Sequence, residues 1–286
     1  MRVSVRISEA LCAVAVVVLS ATATLAGTPQ KAPERVVSAN LCTDQLALLL
    51  AAPGQLVSVS RLSRDPQSSL MVEAARALPV NDTRAESIFL FAPDLVLTGT
   101  YADPATVQML RSLGIRVEQF KPADSLAEVR DNISRMGDLL GREEAAAGML
   151  ARFDAGMAAA SGAPERRPRA ALYYANGYTT GGKTLAGDIL RKAGFANVAD
   201  EAGIPDGGNL PLERLVMLAP DVILRGHEYP GYSRANEVLK HPALRALPDS
   251  LLAGHMDDRH WICGTPAVIE ALQDMRALRQ RIEAGQ

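Results

Sequence analysis

Two stretches of the chain carry nearly the same text: Glu86-Ser-Ile-Phe-Leu-Phe-Ala-Pro-Asp-Leu-Val-Leu-Thr-Gly99 and Glu213-Arg-Leu-Val-Met-Leu-Ala-Pro-Asp-Val-Ile-Leu-Arg-Gly226. Aligned, their fourteen positions give six identities, six apolar-for-apolar exchanges and two differences. Their separation far exceeds the about 20–50 residues of a solenoid unit. It fits a chain that builds one kind of lobe twice.

Each copy reads physically. The segment after the Glu is a short amphipathic helix, stopped at Pro93 or Pro220, whose ring disfavours αR in the residue before it and offers no N–H. Asp94 and Asp221 make the turn. Leu95–Leu97 and Val222–Leu224 are apolar runs suited to strands buried on both faces. Gly99 and Gly226 end them where the chain must bend.

Strands and helices alternate on either side of these copies. In the first part, strands are expected at Arg35–Ser38, Leu56–Ser60 and Ile115–Phe120. Helices are expected over Thr43–Ala51 and Asp124–Leu140, with Gly114 and Gly141 as helix stops. In the second part, a strand over Arg169–Tyr174 ends in Ala175-Asn176, much as the first ends in Ala39-Asn40. Further expectations are a helix near His241, a strand at Leu251-Leu252 and a terminal helix from Ala267 to Ala284. Arg142 to Ser161 has no strand character and reads as one helix of about 30 Å. The fold class is therefore α/β, with two similar lobes, each around a mainly parallel sheet. The expected division is a leader over 1–26, a first lobe over 33–141, a rigid joining helix over 142–161 and a second lobe over 168–286.

A length of 286 residues suffices for two cores, since domains commonly hold about 100–150 residues. The net charge of −2 gives no reason to expect nucleic acid or an anionic membrane surface as partner. Met1 to Ala26 reads as a secretory signal peptide, with Arg2 and Arg6 before the apolar run Ala10–Leu19 and Thr24-Leu25-Ala26 as cleavage site. That run is short of the ~20 residues of a spanning helix. Cys12 lies early in it, which argues against a lipid-anchored form. The exported chain keeps Cys42 and Cys263 in an oxidising compartment. If both stand at strand ends that face each other, one from each lobe, a disulfide would join the lobes; otherwise they are two buried thiols packing as small hydrophobes.

In parallel sheets ligands lie beyond the carboxyl ends of the strands. That rule selects Asn40, Arg61 to Asp65 with Ser63, Thr100-Tyr101 and Phe120-Lys121 in the first lobe. In the second part, Trp261 lies in the last polar loop before the terminal helix.

Gly177-Tyr-Thr-Thr-Gly-Gly-Lys-Thr184 matches the phosphate-loop pattern letter for letter, between a strand and a helix. A nucleotide-binding enzyme is therefore the alternative reading. Against it, neither apolar strand ends in the Asp that would hold Mg²⁺, since Thr98 and Arg225 stand there. All four histidines, His227, His241, His255 and His260, lie in the second part, so a metal shared between lobes has no first-lobe histidine. No metal site, cofactor or catalytic residue is assigned. Thr83 and Glu86 have capping-box spacing, and Glu213 follows Pro211 in a first helical turn. Capping explains each glutamate alone but not why the same residue opens both copies.

With its leader, its strand Arg35-Val-Val-Ser38, the two Ala-Pro-Asp phrases and the joining helix, the chain resembles the periplasmic binding proteins of iron–siderophore and cobalamin ABC importers over about residues 33–285. The resemblance implies a periplasmic, non-catalytic and monomeric protein with its ligand in a cleft between two lobes. It implies that Glu86 and Glu213, at exposed helix starts remote from the cleft edge, dock into arginine pockets of the membrane permease. Cleft positions are carried over by location: Asn40, Arg61, Ser63, Tyr101, Asn176, Tyr178, His227, Tyr229 and Trp261. Arg61, Arg64, Lys121 and Arg225 would suit an anionic ferric siderophore, the ligand favoured at this point. The aromatic rings would suit a corrinoid or haem.

Overall fold

The computed structural model describes residues 31–160, 164, 166–226, 233–245, 257 and 259–284. The leader, the strand at Leu251-Leu252, His227, Tyr229 and His255 lie outside them.

The first half runs β1 Val36–Ser38, α1 Leu41–Leu50, β2 Leu56–Ser60, α2 Val72–Arg76, β3 Val80–Asn81, α3 Ala85–Phe89, β4 Leu95–Gly99, α4 Pro104–Ser112, β5 Arg116–Phe120 and α5 Leu126–Leu140. Helix α6, Glu143–Ala159, follows. The second half runs β6 Arg169–Tyr173, β7 Tyr178–Thr179, α7 Leu185–Lys192, β8 Ala196–Asn197, α8 Val198–Glu201, β9 Gly208–Asn209, α9 Leu212–Leu218, β10 Val222–Arg225, α10 Pro242–Arg245, α11 Arg259–Ile262 and α12 Val268–Glu283. The α/β reading with parallel sheets holds. One sheet has the order β3-β2-β1-β4-β5 and the other β10-β6-β8, with every neighbouring pair parallel. β7 and β9 form a separate antiparallel pair.

In each sheet the chain moves outward from its first strand and then returns to that strand's other side. β4 lies against β1 with Val36 opposite Leu95, and β10 lies against β6 with Ala170 opposite Val222. Such a return is a switch point, outside whose carboxyl ends a crevice opens.

Strand alternation assigns the faces. Val36, Leu95, Leu97, Ala170, Leu172, Val222 and Leu224 all enter one continuous core cluster. Val37 and Val96 point into a smaller first-half cluster, and Ala171, Tyr173 and Ile223 into a second-half one. Helices α5, α6, α7 and α12 complete the shared core. A Cβ on Gly137 would come within 2.4 Å of the Ala146 Cβ, and one on Gly156 within 2.6 Å of Ile269, so both glycines permit close helix approach. Across the middle, the Asp188 carboxylate of α7 accepts the Leu126 N–H at the start of α5 at 2.9 Å, with both groups buried.

One anchor recurs. Arg35 precedes β1 and Arg169 opens β6. The Asp94 carboxylate accepts the Arg35 N–H at 3.0 Å, and the Asp221 carboxylate accepts the Arg169 N–H at 2.7 Å. The Arg35 guanidinium donates to the Phe91 and Ala92 carbonyls at the end of α3, and that of Arg169 donates to the Ala219 carbonyl after α9. Ala92 and Ala219, each just before its proline, both take the left-handed conformation, with φ of 46° and 43°.

The capping box is corrected. Thr83 has φ of 66° and does not cap; Arg84 is the N-cap of α3, with no side-chain bond to the helix. The Asp82 carboxylate accepts the Arg84 N–H instead, because the turn out of β3 carries the chain past Thr83 before the helix begins.

Candidate functional site

At the first switch point β1 leads through Ala39 to Asn40, and β4 ends in Gly99. The Asn40 carboxamide oxygen accepts the Cys42 N–H at 3.0 Å, capping α1. A Cβ on Gly99 would lie 3.1 Å from the Asn40 Nδ2, so the strand ends are in contact. Beyond them lies a cavity of about 140 Å³ lined by Asn40, Tyr101, Phe120, Lys121, Ile262 and Gly264 among others. The last two come from the segment before the terminal helix, held there by a Cys42–Cys263 disulfide with Cα atoms 5.0 Å apart. The bridge left open by the sequence is formed. It ties the start of α1 to the opposite end of the chain, 221 residues away.

The rim is largely apolar. Tyr101 is 89% exposed, and Ile262 of the bridged segment is 43% exposed. Tyr101 also borders two further hollows, of about 380 and 610 Å³. The smaller includes Asn40, Asp82 and Arg84.

At the start of α1 lies a buried polar cluster. The Asp44 carboxylate accepts from the Ser60 N–H at 3.1 Å and from the Ser60 hydroxyl. Its other oxygen and the Gln45 Nε2 have no hydrogen-bond partner among the described residues. Burial pushes the Asp44 carboxyl up to about 6, against the opposing pull of hydrogen bonds from Ser38 and Ser60.

Several expected site residues stand elsewhere. Ser63 is fully buried and donates to the Ser60 carbonyl at 2.7 Å, because the turn Arg61–Arg64 rolls its hydroxyl inward. Arg64 donates to the carbonyls of Ala75, Arg76 and Leu78, which fixes α2 and removes a cation from the rim. Arg61 is exposed. Trp261 sits not in a loop but in α11, 6% exposed within the shared core, drawn inward beside the bridged Cys263. Asn176 does not repeat Asn40. It is left-handed, with φ of 56°, in the turn between β6 and β7. Tyr178 is 46% exposed and approaches Tyr174, with ring centroids 6.3 Å apart. Neither Asn176 nor Tyr178 lines the cavity at the first switch point.

The phosphate-loop reading fails on geometry. Tyr178 and Thr179 are committed to β7, and the Gly182 N–H donates to the Asp200 carboxylate at 2.7 Å, leaving an anion to face an anion. A Cβ on Gly181 would meet the Ile204 carbonyl at 2.1 Å, so these glycines serve close packing rather than a ligand. Lys183 pairs with Asp206 at 3.4 Å, and Thr184 caps α7. Among the described residues no three His, Cys, Asp or Glu side chains gather as a metal site, and no helix is long and apolar enough to cross a membrane.

Glu86 and Glu213 occupy the first turns of α3 and α9, both exposed, and neither forms a salt bridge within the described residues. Tyr101 and Phe120 of the rim were selected by their places at strand ends, whereas no sequence signal marked Ile262, which lies next to the bridged Cys263.

Residues 36–248 match a family described as periplasmic binding protein. A cobalamin-binding protein of Halobacterium salinarum is 32% identical over 200 residues, which is 68% of this chain and 54% of that protein. The chain thus spans about half the length of the curated relatives it matches. Among solved structures, the apo periplasmic heme-binding protein RhuT of Roseiflexus sp. RS-1 has a TM-score of 0.72 at 23% identity, covering 87% of this chain and 98% of that one. An ABC-type Fe3+-hydroxamate transport protein of Saccharomonospora viridis has a TM-score of 0.63 at 24% identity, covering 87% and 93%. At those identities the structural likeness shows the fold alone.

Proposed function

The chain belongs to the periplasmic binding protein family, and from that premise we propose that it captures a metal chelate in the periplasm and delivers it to the transmembrane subunits of an ABC importer. It works as an exported monomer without catalysis, and the ligand lies between its two lobes, 33–141 and 168–286, across the helix over 142–161. Glu86 and Glu213 dock to permease arginines. The observation that carries the reading is the switch-point cavity where Asn40, Tyr101 and Lys121 of the first half meet Ile262 of the bridged segment. An exposed ring and aliphatic side chains around a few polar groups suit one face of a macrocycle resting on the rim, since a cavity of about 140 Å³ receives only an edge of such a ligand.

A corrinoid is favoured over a ferric siderophore because Arg64 is committed to main-chain carbonyls. The named binding partner of the Halobacterium relative points the same way. Exposed Arg61 and Lys121 keep an anionic ferric chelate as the second reading. Calorimetric titration of the exported chain with cyanocobalamin, hemin and a ferric hydroxamate separates them. Tight binding of cyanocobalamin, weakened at least about tenfold by Tyr101→Ala, is expected. Binding of the hydroxamate alone would support the second reading, and binding of none would overturn the capture role.

A further inference from the structure

The two copies share more than their glutamates. Ile88 and Leu215, two positions after each glutamate, are 1% and 0% exposed and serve the core. The next two positions turn outward in both copies and are apolar in both. Phe89 is 50% exposed and Leu90 84%, while Val216 is 37% exposed and Met217 84%. One exposed aliphatic residue needs no explanation. Here the two most exposed large aliphatic side chains of the described residues fall at equivalent sites, each beside an exposed carboxylate. Nothing in the fold holds them apolar, since side chains that far out bury little against α3 or α9.

We propose that Phe89-Leu90 and Val216-Met217 are paired apolar knobs that seat in the importer's transmembrane subunits, next to basic side chains that receive Glu86 and Glu213. This rests on the docking reading above and adds its apolar part. Two matched faces on one chain fit a partner that offers the same site twice, as a two-fold pair of subunits does. The adjoining carboxylates disfavour an anionic lipid surface as the occupant. Carboxylates of this kind set encounter rate and register, whereas a desolvated apolar contact slows dissociation.

The test is Leu90→Ser/Met217→Ser, two exposed changes, compared with Glu86→Gln/Glu213→Gln. Urea unfolding verifies that both variants fold. Association with the importer in lipid nanodiscs is then measured at low and high salt. The serine variant should bind at least about tenfold more weakly through faster dissociation, with its salt dependence kept. The glutamine variant should lose the salt dependence. Weaker binding of the glutamine variant with an unchanged serine variant would overturn the knobs and leave docking standing. No effect of either variant would overturn docking itself. Wild-type binding to protein-free anionic vesicles, or self-association abolished by the serine changes, would reassign the patches to lipid or to a second copy and overturn the proposal.

Discussion

In the first half, β1 runs through Asn40 straight into the ten-residue helix α1, whereas in the second, β6 runs through Ala175–Gly177 into the small β7–β9 pair. Yet both strands start from the same anchor: an arginine whose N–H is held by the Asp of an Ala-Pro-Asp turn and whose guanidinium closes the preceding helix. The difference teaches a division of labour. The anchor ties the ends of α3 and α9 to their strands by equivalent bonds, and the exposures beside Glu86 and Glu213 repeat. The strand ends, free of that constraint, diverge into an asymmetric rim. On the proposed function, the repeated faces would serve a partner with two like sites and the asymmetric rim a ligand with none.

The largest expected effect tests the asymmetric rim. The disulfide joins the first half's capped helix to the segment carrying Trp261 and Ile262, and the second half has no counterpart. Closing a 221-residue separation restricts the unfolded chain by about 5 kcal/mol in the chain-entropy model. Cys42→Ser/Cys263→Ser should therefore lower the urea midpoint strongly. It should also red-shift the emission of the single Trp261 in the folded protein. Two alkylatable thiols in the native non-reduced chain would contradict the bridge.

A smaller effect comes from the buried polar cluster at the start of α1. Asp44 is raised from 3.8 to about 6 by burial. The folded state then holds a proton that the unfolded state has released between those values, so stability from this group falls as pH rises through that window. Above it the buried charge costs about 3 kcal/mol. Asp44→Asn leaves an oxygen for the Ser60 N–H and puts an amide where an oxygen has no partner. It should stabilise the protein at pH 7.5 relative to wild type and flatten the change between pH 4 and 6. Equal urea midpoints for both proteins at both ends of that range would show that Asp44 is not the group.

The smallest effect probes the shared anchor. Ala92→Gly and Ala219→Gly each relieve a left-handed alanine, worth about 1–2 kcal/mol, against a glycine entropy cost of about 0.5–1 kcal/mol. Both should stabilise slightly and alike in thermal unfolding. Opposite signs would break the equivalence of the two copies.

The repeated phrase made the helix–turn–strand unit legible because proline, aspartate and apolar runs act locally. Arg35 and Arg169 were not legible as its partners, since they are joined to it only by strand pairing. Asn40 was selected by its place at a strand end, and the structure adds its capping bond. Thr83 misled because capping spacing says nothing of the φ that the turn out of β3 imposes. Ser63 and Trp261 sit at the right places in the chain, but burial turned both inward. The phosphate-loop letters were met by glycines used for packing, a distinction that only the positions of Asp200 and Ile204 reveal.

The claim that two equivalent faces deliver the ligand is tested most directly by uptake through the reconstituted importer. Glu86→Gln, Glu213→Gln and the double variant are compared with wild type under saturating ligand. Each single change should lower uptake, the double change should nearly abolish it, and ligand affinity should stay within about twofold. Uptake by the double variant equal to wild type would contradict it.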